Sequence, residues 1–255
     1  MILQRGSMRA IIVAGSALVA WLLLSDSALG QAYPRTELTT QVDELFAEWD
    51  GEISPGAVVG IFMDGKIIYS KGYGVANLDY GIPITPQSVL RIGSISKQFV
   101  AMCIVILAEQ GKLSFDDDIR VYLPEMPDYG KQITIRHLLH HTSGIREYLT
   151  LVDLMGKPEG SVFGYTTREL VELLSRQQRL NFDPGSQFSY TNSGYFLLAE
   201  IVPRVSGVKA GAFAQENIFE PLSMTQSRFY DDPNAIIRNQ AFGYSPKRDD
   251  GYRLD

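Results

Sequence analysis

One cysteine and three histidines stand in 255 residues, and each scarcity removes a class of chemistry. A lone Cys103 leaves no internal disulfide to form. Its neighbours Ala101, Met102, Ile104 and Val105 mark it as a buried small hydrophobe rather than a reactive thiol. His137, His140 and His141 fall at i, i+3 and i+4, a spacing that can bind zinc on a helix. They lack a His-Glu-x-x-His pattern and any further ligand nearby in sequence, so no metal is expected. Basic residues are outnumbered, 23 Lys+Arg against 29 Asp+Glu for a net charge of −6, and no stripe of them could neutralise phosphates. Nucleic acid is therefore not an expected partner. Repeats, linkers and low-complexity tracts are missing too. What remains is an ordinary globular composition, 45% hydrophobic and 20% charged, with ample length for a core.

The first thirty residues read as an export signal rather than as part of the fold. Arg5 and Arg9 precede an apolar run from Ala10 to Leu24. Ser25-Asp26-Ser27 and Ala28-Leu29-Gly30 follow, with small residues where a signal peptidase inspects the chain. The run is about 15 residues, short of the roughly 20 that a bilayer span needs. The expectation is cleavage after Gly30 and a secreted or periplasmic protein. The alternative is an uncleaved membrane anchor, the only membrane contact the sequence suggests. Residues 31–255 then form one domain.

Apolar spacing places an amphipathic helix from Thr39 to Asp50. Ala57–Met63 and Lys66–Ser70 are β-rich runs joined by Asp64-Gly65, a strong hairpin signal. Gly72–Pro86 reads as loop and Ser88–Ile92 as one more short strand. Ser94–Gln110 is the clearest helix, with Ser94 or Ser96 as cap, an apolar face of Phe99, Val100, Cys103, Ile106 and Leu107, and Gly111 as its end. Asp116–Lys131 should be irregular. Thr134 caps a short helix through Leu139, and Thr166 with Glu169 makes a capping box for Leu170–Arg176. Tyr148, Phe163 and Tyr165 are assigned to a loop. A helix runs from Ser193 towards Val205, with Pro203 expected to kink or shorten it. Strands first and helices afterwards give an α+β class.

Two segments carry chemistry. Ser94-Ile95-Ser96-Lys97 opens the long helix, and residues i and i+3 share a helix face about 5–6 Å apart at Cβ, so the amine can reach the hydroxyl. A serine in a first helical turn also faces unpaired N–H groups and the positive end of the dipole, which favour an oxyanion. Tyr190-Thr191-Asn192, after Asp183-Pro184-Gly185, supplies a phenol for the same proton. Lys97 must share or lose its proton to act as a base, and Tyr190 could take that role if Lys97 stays charged. Each motif alone is weak. Ser94 and Lys97 could be a helix cap and a solvated lysine, Tyr190 and Asn192 a core tyrosine and the cap of the next helix. Ser206-Gly207-Val208-Lys209 is an accidental Ser-x-x-Lys, since Gly207 marks a helix end. No cofactor is required for acyl transfer through such a set.

The wording around both motifs decides between these readings. Phe182 to Tyr195 (Phe-x-Pro-Gly-Ser-x-Phe-x-Tyr-Thr-Asn-Ser-Gly-Tyr) resembles the second-motif region of the serine β-lactamase and D-alanyl-D-alanine peptidase, or penicillin-recognising, family in its class C branch. So does Arg91-Ile-Gly-Ser-Ile-Ser-Lys-Gln-Phe around Ser94. The segments beginning Glu109-Gln-Gly-Lys-Leu-Ser and Ile135-Arg-His-Leu-Leu-His-His-Thr-Ser-Gly-Ile look like the family's connecting segments. The likeness extends over Ser54 to Ser227. It implies a β-lactamase/transpeptidase-like fold: an antiparallel sheet lobe flanked by helices, an all-helical lobe, and the site between them. It also implies an exported serine hydrolase that forms an acyl-Ser94 intermediate on an amide, ester or β-lactam. Lys97 and Tyr190 would handle the proton, and Asn192 would hold the substrate amide and the lysine. His141-Thr142-Ser143-Gly144 would be a structural turn beside the site. The implied substrate is a small molecule or one resembling a peptidoglycan stem.

One departure stands out. The family's third motif, Lys-Thr-Gly or His-Thr-Gly on a later strand, has no counterpart before Asp255, and Lys209-Ala210-Gly211 lies in a predicted helix. The expectation is a domain incomplete at its C-terminus, with the late strands missing and an open apolar edge on the Ala57–Ser70 hairpin. Loss of an oxyanion donor costs about 10²–10³ in turnover, so a truncated, catalytically incompetent family member with a binding function or none is the alternative.

Overall fold

The computed structural model describes residues 35–156, 165–232, 234–248 and 251–254. The expected export segment and Phe163 lie outside them. The described residues divide into two compact units, those up to Ile92 with those from Ile236 onward, and those between Gly93 and Ala235.

The first unit is built on a hairpin and one helix. Helix α1 (Arg35–Leu45) begins before the patterned start at Thr39 and gives way to a 3₁₀ turn at Ala47–Trp49. Strands β1 (Ala57–Met63) and β2 (Lys66–Tyr73) pair antiparallel, with a bulge at Ile61/Phe62. Asp64 and Gly65 take φ of 50° and 73°, the doubly left-handed conformation that matches the strands' twist. Alternation then sorts the side chains. Ala57, Val59, Ile61 and Tyr73 pack with Val42 and Phe46, while Phe62 and Ile67 stay 59% and 60% exposed.

The Gly72–Pro86 stretch is not all loop. It holds two short antiparallel strands, β3 (Val75–Asn77) and β4 (Ile82–Pro83). Bare glycine backbone permits this, because a Cβ on Gly72 would overlap the Ile84 carbonyl. The strand expected at Ser88–Ile92 reduces to a single bridge. Val89 N–H donates to Asn239 O at 2.8 Å, and Ala241 N–H donates to Val89 O at 2.9 Å. A third antiparallel pair, β5 (Tyr244–Pro246) with β6 (Tyr252–Leu254), was not anticipated from the sequence.

The second unit is helical. Helix α2 (Lys97–Glu109) buries Val100, Cys103, Ile104 and Leu107 in one core with Leu197, Leu198, Ile201 and Val202 of α6 (Asn192–Ser206). Gly111, at φ 69°, closes the end of α2 as expected. Between them come α3 (Ile135–Leu139), α4 (Tyr148–Leu154) and α5 (Thr167–Ser175), with α7 (Ala210–Ala214) after α6. The capping boxes at Thr134 and Thr166 are both present, the first with His137 in the place of the usual acid. Tyr148 begins a helix rather than lying in a loop. Pro203 does not shorten α6, which runs on to Ser206 and ends at a left-handed Gly207. A proline this close to a C-terminus still loses one ladder bond, but the buried face of α6 holds the turn.

Candidate functional site

All four side chains singled out from the sequence belong to the second unit, and the fold brings them within hydrogen-bond reach. Gly93–Ser96 is a 3₁₀ turn leading into α2, so Ser94 stands just before the helix that Lys97 begins. Lys97 Nζ donates to Ser94 Oγ at 3.1 Å and to Asn192 Oδ1 at 2.7 Å. The Tyr190 hydroxyl donates to Ser94 Oγ at 2.7 Å.

These contacts differ in part from the plainer readings. Ser96 occupies the N-cap position of α2 without a side-chain hydrogen bond, while the hydroxyl of Ser94 meets the amine and the phenol. Lys97 is half-buried rather than solvated. Tyr190 is 49% exposed and so is no core tyrosine. The cap of α6 is Thr191, whose hydroxyl accepts from Ser193 N–H at 3.1 Å. Asn192, one position on, is thereby free to turn towards Lys97.

Electrostatics hold the Tyr190 phenol below its ordinary pKa. Burial pushes the Tyr190 phenol upward, but polar contact with Lys97 and Ser94 and the nearby ammonium outweigh it, and the net shift is downward. Lys97 Nζ lies 4.8 Å from the Tyr190 ring centroid and 5.7 Å from that of Tyr195.

His141 packs against this group. Its ring lies 4.5 Å from Tyr190 and 5.1 Å from Tyr195, and its Nδ1 accepts from Thr191 N–H at 3.3 Å. Burial, and then the charge of Lys97, hold the imidazole below its ordinary pKa, so it acts as a neutral acceptor. His137 Nδ1 likewise accepts from Thr134 N–H, at 3.2 Å. The expected turn at His141-Thr142-Ser143-Gly144 is there. His141 has φ 57°, Gly144 has φ 72°, and a Cβ on Gly144 would land on the Phe182 carbonyl. That close approach docks the segment preceding Tyr190, where Asn181 N–H donates to Gly144 O at 2.8 Å. Among the described residues, no three His, Cys, Asp or Glu side chains gather as a metal-holding group.

Sequence reasoning passed over Glu147. It is the N-cap of α4, and its Oε1 accepts from Leu149 N–H at 3.2 Å. The same carboxylate accepts from Thr191 Oγ1 at 2.7 Å, from Asn192 N–H, and from Asn192 Nδ2 at 3.4 Å. An acid just before the apolar run Tyr148–Val152 is a legible helix start. Its reach to residues 44 and 45 positions away is not.

A serine hydroxyl in contact with an amine and a phenol of lowered pKa can act as a nucleophile whose proton has somewhere to go. The chain is similar to a set of known proteins. The family model described as Beta-lactamase matches residues 42–253. The D-aminopeptidase of Gluconobacter oxydans is 29% identical over 85% of this chain and 39% of its own length. Penicillin-binding protein 4* of Bacillus subtilis is 32% identical over 71% of this chain and 40% of its own. Among solved structures, the octameric penicillin-binding protein homologue from Pyrococcus abyssi superposes with a TM-score of 0.67 at 30% identity, covering 86% of this chain and 50% of that one. The chain thus spans about two fifths of the length of these curated relatives.

Proposed function

The chain belongs to the beta-lactamase family, and from that premise we propose that it is a serine hydrolase acylated at Ser94 by an amide, ester or β-lactam substrate. The observation that carries this reading is the double contact at Ser94 Oγ, 3.1 Å from the Lys97 amine and 2.7 Å from the Tyr190 phenol. Oγ attacks the substrate carbonyl carbon, and its proton passes to whichever of Tyr190 and Lys97 is unprotonated. The tetrahedral species collapses as the bond to the leaving nitrogen or oxygen breaks, and that atom takes up the same proton. Water then attacks the acyl-Ser94 ester, giving its proton to the same pair. The carboxylic acid leaves and Oγ–H is restored. Asn192, already holding Lys97 through Oδ1, also offers its amide to the substrate.

The similarity to a D-aminopeptidase and a penicillin-binding protein supports small amides and peptides bearing a D-residue as the substrate class. We also place the reaction outside the cytoplasm, on the strength of the apolar run after Arg5 and Arg9 with its small-residue cleavage site. The test is labelling with a fluorescent penicillin or a fluorophosphonate. Labelling of the wild type that vanishes in Ser94→Ala is the expected result, and an unlabelled, folded wild type would overturn the reading.

A further inference from the structure

We propose that Glu147 is a positioning residue for proton transfer: its carboxylate fixes which end of the Asn192 amide faces Lys97, an inference that rests on acylation at Ser94 as read above. The two ends of an asparagine amide are nearly identical in shape, so hydrogen-bond partners alone decide their orientation. A carboxylate only accepts, and an ammonium only donates. Asn192 sits between one of each. Nδ2 faces Glu147 Oε1 at 3.4 Å, and Oδ1 faces Lys97 Nζ at 2.7 Å. Reversing the amide would set oxygen against carboxylate and NH₂ against ammonium, two repulsive contacts in place of two attractive ones.

The Nδ2 contact is long and would be a weak guide by itself. Its authority comes from the other bonds that immobilise both partners. Glu147 Oε2 takes the Asn192 backbone N–H and the Thr191 hydroxyl, which fixes where the Asn192 side chain leaves the helix. Glu147 Oε1 is tied to its own helix through Leu149 N–H. One carboxylate therefore joins the first turns of α4 and α6. With a donor committed to Asn192 Oδ1, the Lys97 amine is kept from swinging on its flexible stem away from Ser94.

The charge matters as well as the geometry. Around Lys97 stand Tyr190, Tyr195 and His141, and Glu147 raises the pKa of both Tyr190 and His141 through space. The adjacent Arg146 is turned elsewhere, with Nη1 donating to Gln177 at 3.0 Å. Glu147 is thus the acid that acts on the phenol. Its negative charge favours the protonated phenol, so removing it moves the acid limb of the reaction to lower pH.

The experiment measures the rate at which a fluorophosphonate labels Ser94 across pH. In that reaction Oγ–P forms, P–F breaks and the hydroxyl proton goes to the base. In Glu147→Gln the plateau rate is expected to fall by about 10- to 100-fold, as when outer partners of site groups are lost. The acid limb is expected to shift to lower pH. The loss should not multiply with that of Asn192→Ala, since both act through the same amide. An unchanged rate and limb, or fully multiplicative losses, would overturn the role of Glu147 while leaving acylation at Ser94 intact. A wild type that is never labelled would instead remove the reading beneath it. Should Glu147→Gln fail to fold, the wild type still decides. The Asn192 side-chain NH₂ must then show slow exchange with water by NMR, and fast exchange would sink the proposal.

Discussion

Asn192 Oδ1 accepts a 2.7 Å hydrogen bond from Lys97 Nζ across 95 residues of chain. That one contact ties the start of α6 to the start of α2, the two helices whose buried faces share the core of the second unit. Helix packing therefore aligns the site. The amine is held by the same surfaces that stabilise the fold, with little freedom left to lose when substrate arrives.

If Lys97 and Tyr190 share a single proton path, Lys97→Ala and Tyr190→Phe should each slow labelling of Ser94 by about 10²–10⁴-fold. The double variant should fall little further than the worse single one, because parts of one unit are not additive. Labelling rates of the three variants check this. A product of the two single losses would mean separate roles.

Gly144 and Gly65 both have positive φ, 72° and 73°, but only Gly144 has a wall against it. Gly65→Ala meets open space and should cost about 1–2 kcal/mol for the left-handed backbone alone. Gly144→Ala must also move the Phe182 carbonyl, so its loss should be clearly larger. Chemical denaturation of the two variants gives the comparison.

Asp43 is a third test, in the first unit. Its Oδ1 accepts from Lys71 at 2.8 Å, Tyr73 at 2.7 Å and Tyr69 at 2.9 Å, clipping α1 onto β2. Bonding to Lys71 first, and then to Tyr73, lowers its pKa from 3.8 to about 2. A depressed folded pKa means stabilisation that is fully present above 3.8 and lost as pH falls towards 2. Hydrogen exchange along residues 35–45 should therefore accelerate over that window. Asp43→Asn should already exchange faster at neutral pH.

His137 and His141 predict a milder acid slope. Burial lowers both, followed by Arg136 for His137 and Lys97 for His141, and each Nδ1 is used as an acceptor that a proton would destroy. Their stabilisation is present above the ordinary histidine value of about 6.5 and is lost as pH drops through the lower folded values. Tm should accordingly decline on acidification through that range. In His137→Gln the capping box is kept by a residue that does not titrate, so the decline should be shallower.

Cys103 is wholly buried, and burial pushes its thiol up to about 11. The native protein should therefore not react with a thiol reagent at mild alkaline pH, whereas the denatured chain should react at once. Prompt native labelling would show that α2 opens.

How much was legible in advance follows from the range of the forces involved. The Asp64-Gly65 turn, the end of α2 at Gly111, the caps at Thr134 and Thr166 and the burial of Cys103 are all local. Neighbouring residues settle each one, through backbone sterics, capping bonds or apolar periodicity. The meeting of Ser94 with Lys97 is local too, since three residues of a helix start span it. By contrast, β3 and β4 escaped notice because two-residue ladders leave no period to read, and they depend on bare glycine backbone beside Ile84. Glu147 announced a helix start and nothing more.

By itself, then, the order of residues determined helices α1, α2, α3, α5 and α6, the hairpin and the presence of a hydroxyl, an amine and a phenol suited to acyl transfer. Only the tertiary structure decided that Tyr190 stands at Ser94, that the Asn192 oxygen is aimed at Lys97, and that Glu147 holds the amide. Those facts depend on the buried faces of α2 and α6 sharing one core, and on which donors and acceptors then meet. Contacts that close loops of forty to a hundred residues leave no trace in local spacing, because their energy is returned only once the core has assembled.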